Sequence, residues 1–256
     1  MTILDDIVEV VREKVEKKKR SFPLDTESVK SRSGISLKDT IKLPSDEVSL
    51  IGELKKKSPS RGEIRKDFRV KELARDIEEG GARGLSILTE EDYFDGRLSY
   101  LEKVKDTVDI PVLRKDFIVD EYQVFESVRH KADAILLIAD VLDERLPDFV
   151  DLTEDLGMEP LVEVRDEDDV ESAISAGASL IGINNRDLKT MKVDIENTEK
   201  IIDSLPENIV KVSESGIRTR DDVRRVQAAG ADGVLVGTSI MGSGDVRSKV
   251  RNLIGG

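Results

Sequence analysis

The sequence lacks cysteine and tryptophan, and it contains a single histidine, His130. The absence of cysteine excludes disulfides, thiolate metal ligands and cysteine nucleophiles. One histidine excludes a site with several histidine ligands and argues against a catalytic triad built on histidine. His130 falls on a predicted helix, next to Lys131 and far from any strand end, so we expect it at the surface. Aromatic residues make up only 4% of the chain, which predicts an aliphatic core.

The chain has a deficit of positive relative to negative charge, and it has no long apolar runs. The 41 lysines and arginines are outnumbered by 54 aspartates and glutamates, which gives a formal net charge of −13. Nucleic-acid binding requires a basic surface, so we expect no nucleic-acid partner. No apolar run reaches the roughly 18 residues of a membrane-spanning helix, and the acidic N-terminus does not follow the order of a signal peptide. We therefore expect a cytoplasmic protein without a membrane partner.

The first 45 residues differ from the rest of the chain. Apolar residues recur at helical spacing from Ile3 onward, and a basic cluster followed by Pro23 marks the end of this helix. A second short helix is predicted near Leu37, and Pro44 and Ser45 close the segment. We interpret residues 1–45 as a helical extension packed over a main domain, because its apolar stripe has to be buried. A loosely attached tail is the alternative.

From residue 48 onward, short apolar runs alternate with longer amphipathic segments. Several runs are nearly continuous in valine, isoleucine and leucine, which is typical of parallel strands covered on both faces. Their spacing averages roughly 26 residues, close to the size of a βαβ unit. Eight runs are predicted as strands: Val48–Leu54, Gly84–Thr89, Val112–Phe117, Ala134–Ala139, Glu159–Val164, Leu180–Asn185, Val210–Ser215 and Gly233–Thr238.

Eight βα units in about 200 residues predict a (β/α)8 TIM barrel, so that residues 1–256 form one barrel domain with its extension. A doubly wound open sheet is the alternative, but no run is followed by the G-x-G-x-x-G loop of dinucleotide-binding sheets. Catalytic residues of TIM barrels lie at the carboxyl ends of the strands. The polar residues at these ends are therefore the candidates for a site.

Charged side chains stand at the ends of three predicted strands. Glu53 and Lys55 are two residues apart on the first strand and so share a face. Lys115 lies in the third, within a run of three charges that packing alone does not explain. Glu163 is a lone carboxylate among aliphatic residues of the fifth. Burial would raise the pKa of such a carboxyl group and make it a candidate acid or base. An ion pair inside the barrel is the alternative.

Other strand ends point to an anionic ligand. Asn184 and Arg186 share a face of the sixth strand, and an arginine there suits bidentate binding of a carboxylate or phosphate. The last two strands end in Ser215-Gly216 and Gly237-Thr238. TIM barrels often bind phosphate between these two loops on backbone N–H groups, although the glycines would also serve simple turns. Phe94, after the second strand, either stacks on a planar ligand or plugs a loop.

These strand ends together resemble the indole-3-glycerol phosphate synthase family. The matching motifs run in order from about Val48 to Met241, and the most specific are E-x-K-x-x-S-P-S at 53–60 and N-N-R-D-L at 184–188. The extension is similar to the family's extra helix before the barrel, which covers the active site. One departure is Thr238, where family members commonly carry serine or glutamate.

The resemblance implies a small phosphorylated substrate, 1-(2-carboxyphenylamino)-1-deoxyribulose 5-phosphate. The implied reaction closes a pyrrole ring, releases CO2 and then releases water, as a step of tryptophan biosynthesis. It requires no cofactor, and no metal site is expected. We expect the chain to act as a monomer or a weak homodimer.

The resemblance also implies residue roles. Lys115 is the acid that protonates the C2′ carbonyl oxygen as the aryl carbon attacks. For dehydration, Lys55 is the leading candidate acid and Glu53 the base, while Glu163 competes for either duty. Asn184 orients the sugar hydroxyls or a catalytic side chain. Substrate binding falls to Ser58, Phe94, Arg186, Glu214 and Ser215, and phosphate binding to Ser215, Gly216, Gly237 and Thr238. Glu214 matches a family active-site position, although strand parity places it opposite Ser215.

Two other functions stay open from the sequence. Phosphoribosylanthranilate isomerase is also a phosphate-binding barrel enzyme, but its reaction needs one acid–base pair rather than two lysines and two glutamates. A non-catalytic barrel that binds a phosphorylated sugar would lose nothing when Lys115 becomes methionine.

Overall fold

The barrel is closed and built from parallel strands. The computed structural model describes residues 2–26, 29–31, 33–43 and 48–255. Neighbouring strands pair in chain order, and the last pairs with the first. The barrel strands of this described part are β1 (Ser49–Leu54), β2 (Gly84–Leu88), β3 (Val112–Lys115), β4 (Ala134–Ile138), β5 (Glu159–Val164), β6 (Leu180–Asn184), β7 (Val210–Glu214) and β8 (Gly233–Val236). The TIM-barrel prediction is confirmed, and the open sheet was the wrong alternative.

Helices connect the strands and cover the outside of the barrel. Several begin with a side-chain cap: at Thr219, for example, the side chain accepts a hydrogen bond from the backbone of Asp222, which returns one. No described helix is both long and apolar enough to cross a membrane. The helices are α1 (Ile3–Ser21), α2 (Leu37–Ile41), α3 (Val70–Glu79), α4 (Ser99–Lys105), α5 (Glu121–Arg129), α6 (Ala139–Leu142), α7 (Leu146–Asp155), α8 (Glu167–Ser175), α9 (Glu196–Ile201), α10 (Arg220–Ala228), α11 (Thr238–Met241) and α12 (Val246–Ile254).

Most predicted strands run one or two residues too far at their carboxyl ends. The third was expected to reach Phe117, but β3 ends at Lys115 because the N–H of Phe117 bonds to the Asp116 side chain rather than to a neighbouring strand. The eighth was expected to reach Thr238, which instead begins α11. The residues beyond these strand ends, such as Asp116 and Thr238, thus lie in the loops and helix starts above the barrel.

The N-terminal extension contacts both ends of the barrel. α1 lies over the carboxyl ends of the strands, where Ile3, Leu4 and Ile7 border the mouth. Its last turn is anchored to the start of α5, with Lys19 Nζ 2.8 Å from an Asp120 carboxylate oxygen. The Pro44–Ser45 boundary predicted for the extension lies outside the described residues.

α2 covers the opposite end of the barrel. Leu37 at its start is fully buried. Ser36, its N-cap, donates a hydrogen bond of 2.6 Å to Glu159 at the start of β5. The backbone N–H of Lys38 bonds to the same carboxylate. The amino ends of the strands are therefore closed by a segment that precedes them all in the sequence.

The barrel interior sets the direction of the site residues. Ile51, Leu113 and Leu161 are fully buried and pack in one cluster with Leu37. Side chains alternate between the two faces of a strand. Residues two positions further along β1, β3 and β5 therefore point into the mouth of the barrel. These residues are Glu53, Lys115 and Glu163.

Candidate active site

A cavity of about 440 Å³ opens at the carboxyl ends of the strands. Of the site residues predicted from sequence, all but Ser58 line it. Ser58 lies in a neighbouring cavity of about 60 Å³ beneath α1, which also includes Lys55, Phe94 and Arg186. The predicted residues on the main cavity are Glu53, Lys55, Phe94, Lys115, Glu163, Asn184, Arg186, Glu214, Ser215, Gly216, Gly237 and Thr238.

Lys115 is at the centre of a hydrogen-bonded network in this cavity. Its Nζ donates to Glu163 Oε2 at 3.1 Å and to Glu214 Oε2 at 2.6 Å. Asn184 Nδ2 donates to the other Glu163 oxygen at 2.8 Å, and the backbone N–H of Arg186 donates to Asn184 Oδ1 at 2.9 Å. The network joins four strands, which fixes the direction of the ammonium group.

Glu214 is more central than strand parity indicated. β7 ends at Glu214, and Ser215 adopts a left-handed conformation with φ of 66°, so strand alternation stops between them. Glu214 follows the buried Val212 on the interior face, and its side chain is only 2% exposed. Both Glu214 and Ser215 therefore reach the cavity, and parity was the wrong guide at this strand end.

Burial and neighbouring charges act in opposite directions on this network. Burial disfavours the charged form of Lys115, but the carboxylates of Glu214, Glu163 and Glu53 outweigh it and raise the pKa of Lys115. Burial raises the pKa of Glu214 to about 7, even though Lys115 favours its ionised form. The site thus combines a permanent ammonium donor with a carboxyl group that exchanges its proton near neutral pH.

Glu53 and Lys55 form a separate ion pair on the β1 side of the cavity, with Glu53 almost fully buried. Two glycines make room for the buried carboxylates. A Cβ atom at Gly237 would collide with the carboxylate of Glu53, and one at Gly182 with that of Glu214. Gly237, which the sequence placed in a phosphate cradle, therefore also serves the packing of an acidic side chain.

The loop after β7 is held by a residue that the sequence did not single out as functional. Asn185 Nδ2 donates to the carbonyl oxygen of Ser215 at 3.0 Å and to Ser213 Oγ at 3.0 Å. Gly216 continues the left-handed turn with φ of 87°. Opposite, α11 starts at Thr238, where the first N–H groups of a helix have no partner within it. These two loops form one wall of the cavity, the β7–β8 lip (Ser215–Arg218 and Gly237–Ser239).

Phe94 lines the cavity rather than filling only its own loop. Its ring centroid lies 6.2 Å from that of Phe117, which lines the same cavity. The buried Glu90 fixes this loop, because its carboxylate accepts the backbone N–H groups of residues 92, 93 and 94. The sequence analysis assigned no role to Glu90 or Phe117, although Phe117 ends the third predicted strand and Glu90 directly follows the second.

Arg186 and His130 complete the predicted polar positions. Arg186 Nη1 donates to the carbonyl oxygen of Met191 at 3.1 Å, so the guanidinium group holds its own loop while lining the cavity. His130 caps the end of α5, with Nδ1 3.2 Å from a Glu102 carboxylate oxygen, and lines none of the cavities described above. Within the described ranges, no three histidine, aspartate or glutamate side chains are grouped to hold a metal ion.

Solved structures share this architecture. Thiamine phosphate pyrophosphorylase from Pyrococcus furiosus superposes with a TM-score of 0.63 at 19% identity, over 85% of this chain and 96% of that one. A 3-hexulose-6-phosphate synthase gives a TM-score of 0.63 at 17% identity, over 80% of this chain and 98% of that one. At such identities the likeness extends to the fold alone.

Sequence comparison is more specific. The family model of indole-3-glycerol phosphate synthase matches residues 4–253. The indole-3-glycerol phosphate synthase of Thermoanaerobacter pseudethanolicus is 42% identical over 98% of this chain and 97% of its own. That of Halalkalibacterium halodurans is 44% identical over 99% of this chain and 97% of its own. With a closed barrel and a Lys–Glu network at its mouth, the chain belongs to the indole-3-glycerol phosphate synthase family, a family of carboxy-lyases in tryptophan biosynthesis.

Proposed function

We propose that this chain converts 1-(2-carboxyphenylamino)-1-deoxyribulose 5-phosphate to indole-3-glycerol phosphate with the side chains of this cavity. The observation that carries the proposal is the Lys115 ammonium group held between Glu163 and Glu214. A charged donor in a buried cavity stabilises negative charge that develops on an oxygen atom, and its effect is larger there than in water.

Lys115 acts first. As the aryl carbon attacks C2′ of the sugar, a C–C bond forms and the carbonyl oxygen takes a proton from the Lys115 ammonium group. Loss of CO2 then restores the aromatic ring. Because the pKa of Lys115 is raised by its carboxylate neighbours, the side chain is in the acid form when the substrate arrives.

The Glu53–Lys55 pair acts in dehydration. Lys55 gives a proton to the departing hydroxyl group, and Glu53 takes one from the new ring, so that water leaves and the pyrrole forms. The two groups are already in contact. Glu163 contacts Lys115, and Asn184 in turn bonds to Glu163, which supports a positioning role for Asn184.

Other residues of the cavity bind the carboxylate, the aryl ring and the phosphate of the substrate. Arg186 and Ser58 hold the benzoate carboxylate, beside the small cavity under α1. Phe94 packs on the aryl ring, and the β7–β8 lip holds the phosphate through Ser215, Gly216, Gly237 and Thr238.

The direct test is growth of indole fluorescence when purified protein is mixed with the carboxyphenylamino substrate. Wild-type protein is expected to form the indole product and one CO2 per turnover. Absence of product would contradict the proposal. Turnover of phosphoribosylanthranilate instead would favour the isomerase, and binding without turnover would favour the sugar-binding barrel.

Because of Glu214, activity and stability are expected to change in opposite directions with pH. Below pH 7, its carboxylate takes up a proton and stops accepting the hydrogen bond of Lys115, so kcat/KM falls. The ordinary pKa of glutamate is 4.5 and that of folded Glu214 is about 7. The folded state therefore holds an extra proton between these values, and the free energy of unfolding declines as pH rises through that window.

Glu214→Gln is the variant that tests this assignment. It should lower kcat/KM and remove both the limb of the kcat/KM profile near pH 7 and the matching slope in stability. Glu199→Gln on the outer face is the control, since Glu199 forms an ion pair with Arg225 away from the cavity. A limb near pH 7 that persists in Glu214→Gln would contradict the assignment.

The whole chain acts as one functional unit, with residues 1–45 as the extension over the barrel. It acts as a monomer or weak homodimer in the cytoplasm, on a small phosphorylated substrate and without a nucleic-acid partner. Support comes from α1, whose residues border the same small cavity as Ser58 and Arg186. Sedimentation at several protein concentrations measures the oligomeric state.

A further inference from the structure

Two cations at the β7–β8 lip, one on it and one beside it, have no part in the roles described above. Arg218 follows the Ser215–Gly216 turn, and Lys249 projects from α12. Both line the main cavity together with Gly216, Gly237 and Thr238. The donors assigned to the phosphate from sequence are neutral N–H and hydroxyl groups. A phosphate group at this lip would therefore find its positive charge in these two side chains.

The two cations are unpaired within the described part of the chain. No carboxylate there lies within 4.0 Å of the Lys249 ammonium or the Arg218 guanidinium group. Other arginines nearby on the outer helices do pair: Arg247 with Asp76 and Arg225 with Glu199. In a chain with a formal net charge of −13, two unpaired cations beside one cavity wall mark a place for an anion.

Lys249 is held in a position from which it reaches the lip. Its Nζ donates to the carbonyl oxygen of Arg218 at 2.8 Å, which uses one of three ammonium protons and leaves two for another acceptor. The supporting helix is fixed, since Val246, Val250 and Leu253 of α12 are buried. The contact also ties the position of α12 to the loop after β7.

We propose that Lys249, assisted by Arg218, binds the phosphate group of the substrate and supplies the positive charge of the phosphate site. This inference rests on the proposed function for the identity of the phosphorylated ligand. Lys249 binds the group that does not react, so its contribution is the same in the bound substrate and in the transition state. Its loss therefore raises KM and leaves kcat in place.

Lys249→Met tests the inference through two constants. We expect KM for the substrate and the Ki of inorganic phosphate as a competitive inhibitor both to rise about tenfold, the effect of losing one charge-assisted hydrogen bond. The value of kcat should stay within about twofold of wild type. Lys249→Arg keeps the charge and should retain both constants. Lys131→Met removes a cation at the opposite end of the barrel and should change neither.

Arg218→Gln provides a second variant in case Lys249→Met does not fold, as judged by circular dichroism. Arg218 is more exposed, so a smaller rise of about threefold in both constants is expected. Unchanged KM and Ki in a folded Lys249→Met protein would overturn the inference. A rise in KM without a rise in Ki would do so as well, because the lost contact would then not involve phosphate.

Binding of inorganic phosphate measured by calorimetry separates this inference from the proposed function. If wild-type protein forms no indole product, the proposed function fails, yet phosphate affinity still reports on Lys249. Weaker binding by Lys249→Met than by Lys131→Met would then support the cation site. Equal affinities in the two variants would overturn it.

Discussion

Lys115→Met is expected to lower kcat by about 10³-fold, within the range that a positioned general acid contributes. Methionine keeps most of the side-chain volume and removes the proton that the C2′ carbonyl oxygen takes up. It also removes the cation from between Glu163 and Glu214, which lie 3.1 and 2.6 Å from Nζ. Single-turnover measurements of indole formation, with substrate saturating, isolate this loss from any change in binding.

Folding has to be measured beside activity in this variant. Without Lys115, two buried carboxylates lose their cation, and the pKa of Glu214 rises further because Lys115 no longer favours its ionised form. We therefore expect the variant to be less stable at alkaline pH and closer to wild type in acid. Lys57→Met, in the loop after β1, is the matched control because Lys57 bonds to the carbonyl oxygen of Asp92 outside the main cavity. A folded Lys115→Met protein with wild-type kcat would refute the assignment.

Glu53→Gln is expected to lower kcat by about 10²-fold and to separate two products in time. If Glu53 takes its proton only during dehydration, ring closure and loss of CO2 still proceed in the variant. The first turnover should then release one CO2 per active site before indole fluorescence appears. Rapid-quench measurement of CO2 and stopped-flow fluorescence on the same sample give the two time courses.

Two results would contradict this order of events. Equal slowing of CO2 and indole would place Glu53 at or before ring closure, where it also contributes to the charge around Lys115. Wild-type turnover would remove it from the mechanism. Glu63→Gln serves as control, since Glu63 is an exposed carboxylate in the antiparallel pair Lys57–Ser58 and Gly62–Glu63 that follows β1.

Local sequence was sufficient to predict the barrel and the direction of several site residues. Each strand is a compact apolar run, and alternation along it carries over from Ile51 to Glu53 and from Leu113 to Lys115. The prediction weakened where a strand ends, because alternation holds only while the chain stays extended. Glu214 and Ser215 show this limit: Glu214 reaches the cavity by alternation from Val212, and the left-handed turn at Ser215 lets the next residue reach it as well.

Contacts between distant strands were beyond sequence reasoning. Lys115 and Glu214 are 99 residues apart, and their bond exists because closure of the barrel brings β3 and β7 to one mouth. The same applies to Lys249, which stands on a helix and has no strand-end motif around it. Lys249 lies beside the β7–β8 lip because of the way α12 packs, and the spacing of residues in the sequence does not predict that packing.

The segment that closes the base of the barrel is synthesised before all of the strands that it covers. Ser36 finds its partner, Glu159, 123 residues later in the chain. Gly233, which packs near the Ile41 side chain, is synthesised later still. During translation, the extension therefore leaves the ribosome before its docking surface exists. Its apolar side chains stay exposed until that surface has been made. The extension can complete its native contacts only after Gly233, at the start of the last barrel strand to be made, has been synthesised.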